Sequence, residues 1–146
     1  MLEVRVTSDQ FDPGLESKGM VNPSTGALVV FQGIVRDDGG DLLALELEHY
    51  PAMTKKAITT FCETAKQRWS LTSIKVIHRY GRLAAGETIM MVATASAHRR
   101  DAFEAADFLM DYLKSRAPFW KKEHRTSGTI WVSAKSQDED DLRRWA

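Results

Sequence analysis

The chain has 146 residues and a mass of 16.5 kDa, the size of one domain with a real hydrophobic core. Twenty Lys and Arg balance 20 Asp and Glu, so no overall charge attracts nucleic acid or an anionic membrane. The single cysteine, Cys62, excludes an internal disulfide, and no apolar run approaches the roughly 20 residues that cross a bilayer. Because no basic start precedes an apolar stretch, we expect a soluble, cytoplasmic protein of one domain over residues 1–146.

The first quarter of the chain contains one strand and a long connection. Apolar and polar residues alternate over 2–7, which predicts a half-buried strand. Proline and glycine recur over 8–25, which indicates a loop with one short helical turn at 13–18.

Two strands are predicted next, over 27–36 and 42–50, from their β-branched residues and their alternation. The segment DDGGD at 37–41 has the glycines that a turn requires, so the two strands are predicted to form a hairpin. Gly33 within the first strand indicates a bulge or a close approach to the backbone.

Pro51 ends the second strand, and a helix with one apolar face is predicted after it. The apolar face consists of Ala57, Ile58, Phe61, Cys62, Ala65 and Trp69. Cys62 is interpreted as a small buried hydrophobe and not as a nucleophile, because apolar surroundings raise the pKa of a thiol.

The second half of the chain repeats the order of two strands and a helix. Strands are predicted over 74–80 and 87–95 across a turn at 81–86. A helix over 101–114, a turn at 127–128, a strand over 129–134 and a closing helix over 138–145 follow. This order predicts an α+β fold in which two helices cover one side of a largely antiparallel sheet.

The helix over 101–114 has an apolar stripe and a polar one. Phe103, Ala106, Met110 and Leu113 recur at three- and four-residue spacing and are predicted to be buried. Glu104, Asp107 and Asp111 mark a second face, which is predicted to be in solvent.

Basic residues crowd the start of this helix, where His98, Arg99 and Arg100 precede Asp101. Unpaired N–H groups and the helix dipole favour negative charge there, so cations are a local penalty unless an anion binds. The triplet therefore predicts an anion-binding pocket. The alternative is that the arginines point into solvent or pair with Asp101 and Glu104.

A second group of cations surrounds the end of the helix. Pro118 ends it, and Lys114 lies in the last turn, where a cation is favoured. Lys121 and Lys122 follow a predicted Pro-Phe-Trp turn, whose aromatic rings should hold these lysines against the body of the protein.

Most catalytic signatures are absent from the sequence. The four histidines have no metal-ligand spacing, and there is no Walker loop, no GxGxxG and no serine or cysteine hydrolase motif. We therefore expect no metal and no cofactor. What remains is a set of cations that suits an anionic substrate and a developing negative charge. Its members are Arg36, His98, Arg99, Lys114, Lys121 and Lys122.

Three separated motifs carry a family resemblance. They are FQGIVR at 31–36, LEHYPAMTKKA at 47–57 and HRRDAFEAADFLMDYLKSRAPFWKKE at 98–123. With these motifs in this order, the chain resembles the large, catalytic subunit of molybdopterin synthase from the strand of Phe31 to Trp131. The resemblance implies an α/β-hammerhead-like fold with two main helices and a small added subdomain.

The resemblance also implies an activity and its partners. The family transfers sulfur to cyclic pyranopterin monophosphate, forming the dithiolene of molybdopterin in molybdenum cofactor biosynthesis. The sulfur arrives as a thiocarboxylate on the C-terminal Gly-Gly tail of a small ubiquitin-like partner subunit. Members form a homodimer with one small subunit at each end, a heterotetramer.

The site residues follow from the same resemblance. Lys114 and Lys121 are expected to be catalytic near the partner's terminal carbonyl and to contact substrate. Arg36, His98 and Arg99 belong to the phosphate and pterin side, and the family's binding segments add Ile34, Val35, Lys122 and Glu123.

Two questions stay open at this point. Lys121 is the better candidate for proton transfer, because Lys122 is adjacent to it whereas Asp111 lies three residues before Lys114. The residues also suit a non-catalytic module whose basic pocket binds a phosphate ligand or the C-terminal tail of a partner. The two functions differ in whether removing one lysine abolishes turnover while binding persists.

Overall fold

The computed structural model describes residues 1–132 and 136–145. The first half of the chain forms β1 (Leu2–Thr7), α1 (Pro13–Lys18), β2 (Ala27–Ile34), β3 (Leu42–His49) and α2 (Pro51–Arg68). The second half forms β4 (Ser73–Arg79), β5 (Gly81–Leu83), β6 (Thr88–Ser96), α3 (Arg99–Arg116), β7 (Phe119–Arg125), β8 (Gly128–Val132) and α4 (Ser136–Leu142), which a 3-10 turn (Arg143–Trp145) follows. Residues 133–134 of the predicted last strand lie outside the described residues.

The strands form two four-stranded sheets. The first has the order β1-β4-β6-β2, in which β1 and β4 are parallel and the other pairs antiparallel. The second has the order β5-β3-β7-β8 and is antiparallel throughout. The α+β class is therefore confirmed, whereas the prediction of one sheet is wrong because β3, β5, β7 and β8 form a separate layer.

The predicted hairpin between β2 and β3 is wrong. β2 pairs with β6, and β3 pairs with β5 and β7. Gly39 and Gly40 have positive φ, as expected of a turn, and the Asp37 carboxylate accepts from the backbone N–H groups of Gly40 and Leu42. This turn carries the chain from the first sheet to the second, because both strands find longer partners elsewhere.

Helices α2 and α3 pack on one face of the first sheet and form the main core with it. Cys62 of α2 is fully buried there, and burial raises the pKa of its thiol to about 12. This confirms the interpretation of Cys62 as a hydrophobe. The opposite face of the sheet is covered by the connection that contains α1, so β4 is buried along its whole length. Within the described ranges, no helix is long and apolar enough to span a membrane.

Two predictions on α3 are wrong. Phe103 is 60 % exposed, although its spacing placed it on the apolar stripe. Asp111 is buried, although it was assigned to the solvent face. Asp111 is buried because Arg144 and Trp145 of the C-terminal segment cover it and donate hydrogen bonds to it. Trp145 also packs edge-on against Trp69.

The Asp111 contact gives a prediction for stability. Asp111 Oδ2 accepts from Arg144 Nε at 3.0 Å, from Arg144 Nη2 at 2.6 Å and from Trp145 Nε1 at 2.6 Å. We expect Asp111→Ala to lower the free energy of unfolding by about 2 kcal/mol, because the indole N–H loses its acceptor in a partly buried position. In thermal unfolding this corresponds to a decrease in Tm of roughly 4 to 8 °C.

Asp107→Ala is the matched control for this prediction. Asp107 Oδ1 accepts from the same guanidinium at 2.8 Å, but its side chain is 52 % exposed. Such a pair is worth less than about 1 kcal/mol, so Tm should change little. Equal decreases in Tm for the two variants would contradict the assignment of a stabilising role to the buried acceptor.

Candidate active site

One small cavity lies where the first sheet, α3 and β7 meet. Its volume is about 90 Å³. We call it the lysine cavity, and it is lined by Phe31, Gly33, His78, Ile89, Met90, Met110, Leu113, Lys114, Ala117, Phe119 and Lys121. Three of these lining side chains are polar, His78, Lys114 and Lys121, and the rest of the wall is apolar. A charge that develops inside is therefore poorly screened and interacts strongly with the ammonium groups.

The two lysines reach the cavity from different elements. Lys114 lies in the last turn of α3, which ends at Arg116 because Pro118 prevents its continuation. Lys121 lies on β7, paired with Leu47 of β3 on one side and with Val132 of β8 on the other. The predicted convergence of these two lysines is thus present in a single chain.

The segment that carries Lys121 is a strand and not the predicted turn. Phe119, Lys121 and Glu123 alternate with Trp120 and Lys122 along β7, so the two sets face opposite sides of the sheet. Phe119 packs inward, whereas Trp120 is exposed. The position of Lys121 therefore comes from strand pairing on both sides and not from two aromatic anchors.

Lys122 is the first predicted site residue that the structure places away from the lysine cavity. Its Nζ lies 3.2 Å from the Glu48 carboxylate and 4.4 Å from the centroid of the Trp131 ring, on the other face of the sheet. Glu123 shares the face of Lys121, and its carboxylate binds the Arg125 guanidinium at 2.5 Å. The charge of Lys122 is thus satisfied locally by an acid and an aromatic ring.

A second concave surface lies at the start of α3. We call it the basic pocket, and it is lined by Gly26, Ala97, His98, Arg99, Arg100, Phe103 and Glu104. Arg100 is 3.7 Å from Glu104, as the alternative interpretation of the triplet expected, while His98 makes no side-chain capping bond in the described chain. His98 and Arg99 thus lie together at an open helix N-terminus, which suits an anion.

The two pockets are far apart within one chain. Arg99 begins α3 and Lys114 lies close to its end. At a rise of 1.5 Å per residue, the 15 steps from Arg99 to Lys114 separate their backbones by about 22 Å. A single chain therefore does not bring His98 and Arg99 to Lys114 and Lys121.

The FQGIVR segment contributes Phe31 and Gly33 to the wall of the lysine cavity, whereas its last three residues lie outside the cavity. Arg36 is 78 % exposed and lies 3.6 Å from Asp38, and Ile34 is also exposed. Val35 is buried in the second sheet's core, and its backbone N–H donates to the Glu87 carbonyl. Neither Arg36 nor these neighbours lines the lysine cavity among the described residues.

Several wall residues were missed by sequence reasoning. Phe31 and Gly33 face the cavity from β2, His78 from β4 and Met110 from α3. The bulge predicted at Gly33 is confirmed by a register shift there, and a Cβ atom at Gly33 would lie 3.2 Å from Met90 Cγ. That bulge was the available signal, whereas His78 gave none beyond its place in an apolar strand.

Among residues 1–132 and 136–145, no group of three or more His, Cys, Asp or Glu side chains could hold a metal ion. The polar side chains that line the two pockets are ammonium, guanidinium and imidazole groups and the Glu104 carboxylate.

Comparison with known proteins identifies the family. The model of the MoaE protein family matches residues 6–116, about three quarters of the chain. The molybdopterin synthase catalytic subunit of Cereibacter sphaeroides is 54 % identical over 146 residues, which cover 99 % of this chain and 100 % of that protein. The chain belongs to the MoaE protein family. Its function is that of the catalytic subunit of molybdopterin synthase, a sulfurtransferase of molybdenum cofactor biosynthesis.

Solved MoaE structures have the same fold. The molybdopterin biosynthesis MoaE protein of Burkholderia ambifaria MC40-6 superposes with a TM-score of 0.86 at 45 % identity, covering 99 % of this chain and 98 % of that one. The crystal structure of molybdopterin synthase from Staphylococcus aureus gives 0.83 at 27 % identity, covering 88 % and 96 %. The α+β fold expected of this family is thereby confirmed.

Proposed function

We propose that the lysine cavity is the place where this MoaE protein transfers sulfur to cyclic pyranopterin monophosphate. The donor is the thiocarboxylate at the C-terminus of a small ubiquitin-like partner subunit. The observation that carries the proposal is the presence of Lys114 and Lys121 in one mostly apolar cavity. Two ammonium groups in such surroundings stabilise negative charge on the thiocarboxylate and on the oxyanion that develops at its carbonyl carbon.

The shape of the cavity suits the proposed donor. It is narrow, and Gly33 forms part of its wall where a side chain would contact Met90. A Gly-Gly tail has no side chains, so it can extend into such a space where a tail with bulky residues would collide. The thiocarboxylate would then lie beside Lys114 and Lys121 while the body of the partner stays outside.

The chemistry requires two changes of bonding for each sulfur. The thiocarboxylate sulfur attacks a carbon of the pterin side chain and a C–O bond of that carbon breaks, so that its oxygen leaves as water or with the phosphate. The partner is then joined to the substrate as an acyl thioester. Water then attacks the acyl carbon, and the C–S bond breaks to leave sulfur on the pterin and a carboxylate on the partner. Lys121 stabilises the oxyanion of the second step and is the candidate for moving its proton, and Lys114 holds the carbonyl by its charge.

We further propose that the protein is a homodimer in which each lysine cavity is completed by the neighbouring copy. The substrate carries its phosphate and its reacting carbons in one small molecule, yet about 22 Å of helix separates Arg99 from Lys114. His98 and Arg99 of a second copy can supply the phosphate site instead. Apolar residues left exposed on β2 and beside the basic pocket support such a contact, namely Val30, Phe31, Ile34 and Phe103.

The remaining family positions are assigned more generally. Arg36, Ile34 and Val35 are proposed to border the pterin, and Lys122 and Glu123 to shape the segment that carries Lys121. The whole chain, 1–146, is proposed to act as one domain, in the cytoplasm and in a heterotetramer with two small subunits.

The direct test is to incubate the protein with a thiocarboxylated small subunit and cyclic pyranopterin monophosphate and to assay the dithiolene product. Product should form at a rate that saturates with the pterin. Binding of both partners without product would instead support the non-catalytic module.

Arg99→Ala tests the phosphate assignment. A guanidinium at a helix N-terminus mainly holds an anion, so we expect KM for the pterin to rise roughly tenfold or more while kcat changes little. Steady-state kinetics with saturating small subunit would measure both constants. Arg100→Ala is the matched control, because Arg100 is paired with Glu104 and mostly solvent-exposed, and it should raise KM less. A loss of kcat at unchanged KM in Arg99→Ala would contradict the phosphate role.

A further inference from the structure

His78 is the third polar side chain of the lysine cavity, and its surroundings hold it in one orientation. It lies on β4, between Val6 of β1 and Met90 of β6, so its backbone is paired on both sides. Its ring is stacked on Phe119 with centroids 3.8 Å apart and planes 19° from parallel. With 8 % exposure and a ring of the other sheet against its face, the imidazole has little freedom to rotate.

One hydrogen bond fixes the tautomer of this ring. His78 Nδ1 lies 2.9 Å from the Arg79 carbonyl oxygen. A carbonyl oxygen only accepts, so Nδ1 carries the hydrogen and donates it. In a neutral imidazole with Nδ1 protonated, Nε2 has a lone pair and is an acceptor.

The ring is also held neutral. Burial is the main cause that lowers the pKa of His78, to about 3, and the charges of Lys121, Lys114 and His49 act in the same direction. The hydrogen bond to Arg79 offsets only part of this decrease. At physiological pH His78 is therefore an uncharged acceptor beside the two lysines of the cavity.

We propose that His78 is a positioning residue for sulfur transfer, whose Nε2 accepts a hydrogen bond from the Lys121 ammonium and orients that group toward the reacting carbonyl. The inference rests on the proposed function of the lysine cavity. An ammonium has three N–H donors on a flexible stem, and binding one of them to a fixed acceptor directs the other two. Lys121 is the partner because it shares its face of β7 with Phe119, the ring on which His78 stacks, and both residues line the cavity.

Two substitutions at His78 separate this role from packing. In His78→Gln the side-chain amide oxygen can occupy the place of Nε2, so an acceptor is retained while the ring stack is lost. In His78→Phe the ring stack is retained while the acceptor is lost. We expect His78→Gln to keep kcat for dithiolene formation within about threefold of wild type, and His78→Phe to lose roughly ten- to hundredfold at unchanged KM for the pterin.

A role in packing predicts the opposite order, with His78→Phe active and His78→Gln impaired, and that order would overturn the proposal. His49→Phe is the matched control, since His49 also lies near Phe119, at 5.9 Å between centroids, but does not line the cavity. It should leave kcat unchanged. Failure of wild type itself to form dithiolene would refute the proposed function and leave the second measurement to decide the role of His78.

That second measurement needs no turnover. Trinitrobenzenesulfonate labels unprotonated amines, and mass spectrometry quantifies the labelling of each lysine in the intact chain at a fixed pH. A lysine that loses a fixed acceptor loses its proton more readily and moves more freely, so labelling of Lys121 should be roughly three- to tenfold faster in His78→Phe than in wild type. Lys122, on the opposite face of β7, serves as the internal control and should be labelled at the same rate in both proteins. Equal labelling of Lys121 in wild type and His78→Phe would overturn the proposed hydrogen bond.

Discussion

Lys121→Ala is expected to lower kcat for dithiolene formation roughly a hundredfold or more, the range typical of losing one group that stabilises a transition state. The backbone of Lys121 is held by β3 and β8 on its two sides, so its ammonium starts from a fixed stem inside the lysine cavity. Binding of the small subunit should barely change, because the tail's backbone contacts and the rest of that interface remain. Single-turnover kinetics and a separate binding titration would measure the two effects.

Lys121→Arg is the sharper variant at this position. It keeps the positive charge but places a larger, permanently protonated group in a cavity of about 90 Å³. Turnover should stay low, because a guanidinium neither fits the space of an ammonium nor releases a proton. Lys66→Ala on α2, outside the cavity lining, is the control for loss of one lysine. Full activity in Lys121→Arg would mean that charge alone suffices, and Lys114 would become the candidate for proton transfer.

Local patterns in the sequence predicted the elements better than their partners. The alternation at 2–7, the helical turn at 13–18 and the antiparallel pair β4 and β6 are all confirmed. The β2–β3 hairpin failed because a glycine-containing turn says that the chain reverses, and not that the strands on either side pair with each other. β2 instead forms eight register pairs with β6, a strand more than fifty residues later.

The candidate site shows a similar limit. Spacing placed Lys114 near the end of α3, and the structure puts Lys121 in the same cavity. The sequence pattern could not show that Lys121 and Lys122 face opposite sides of the sheet. FWKKEHR lacks the apolar and polar alternation that identifies a strand and assigns its two faces. His78 was out of reach for another reason: a lone histidine in a buried strand has no sequence feature that marks a cavity wall.

The largest expected recovery of activity concerns how two copies share the site. If each lysine cavity takes His98 and Arg99 from the neighbouring copy, Arg99→Ala and Lys121→Ala should complement each other. In a mixed dimer, one cavity combines the intact Lys121 of one copy with the intact Arg99 of the other, and the second cavity carries both lesions. Random mixing makes half of the dimers mixed, and each mixed dimer has one intact cavity of two. Activity should therefore recover to about a quarter of wild type. The assay must use pterin well below the KM of Arg99→Ala, so that this variant alone contributes little.

The matched control is the double variant Arg99→Ala/Lys121→Ala mixed with wild type. Here a shared site lowers the activity of the mixed dimers instead of restoring it. If the copies share the site, mixed dimers have no intact cavity, and only the wild-type dimers remain active, again about a quarter of full activity. If each chain uses its own Arg99, the wild-type copy in every mixed dimer stays active, so the total is about half, and the two single variants do not complement. Differently tagged chains, co-expressed and purified through both tags, would give the mixed dimers directly, and light scattering would establish that they are dimers. Recovery in the mixed single variants together with a loss in the double-variant mixture is the combination that a 22 Å separation along α3 requires, since neither result follows from chains that work alone.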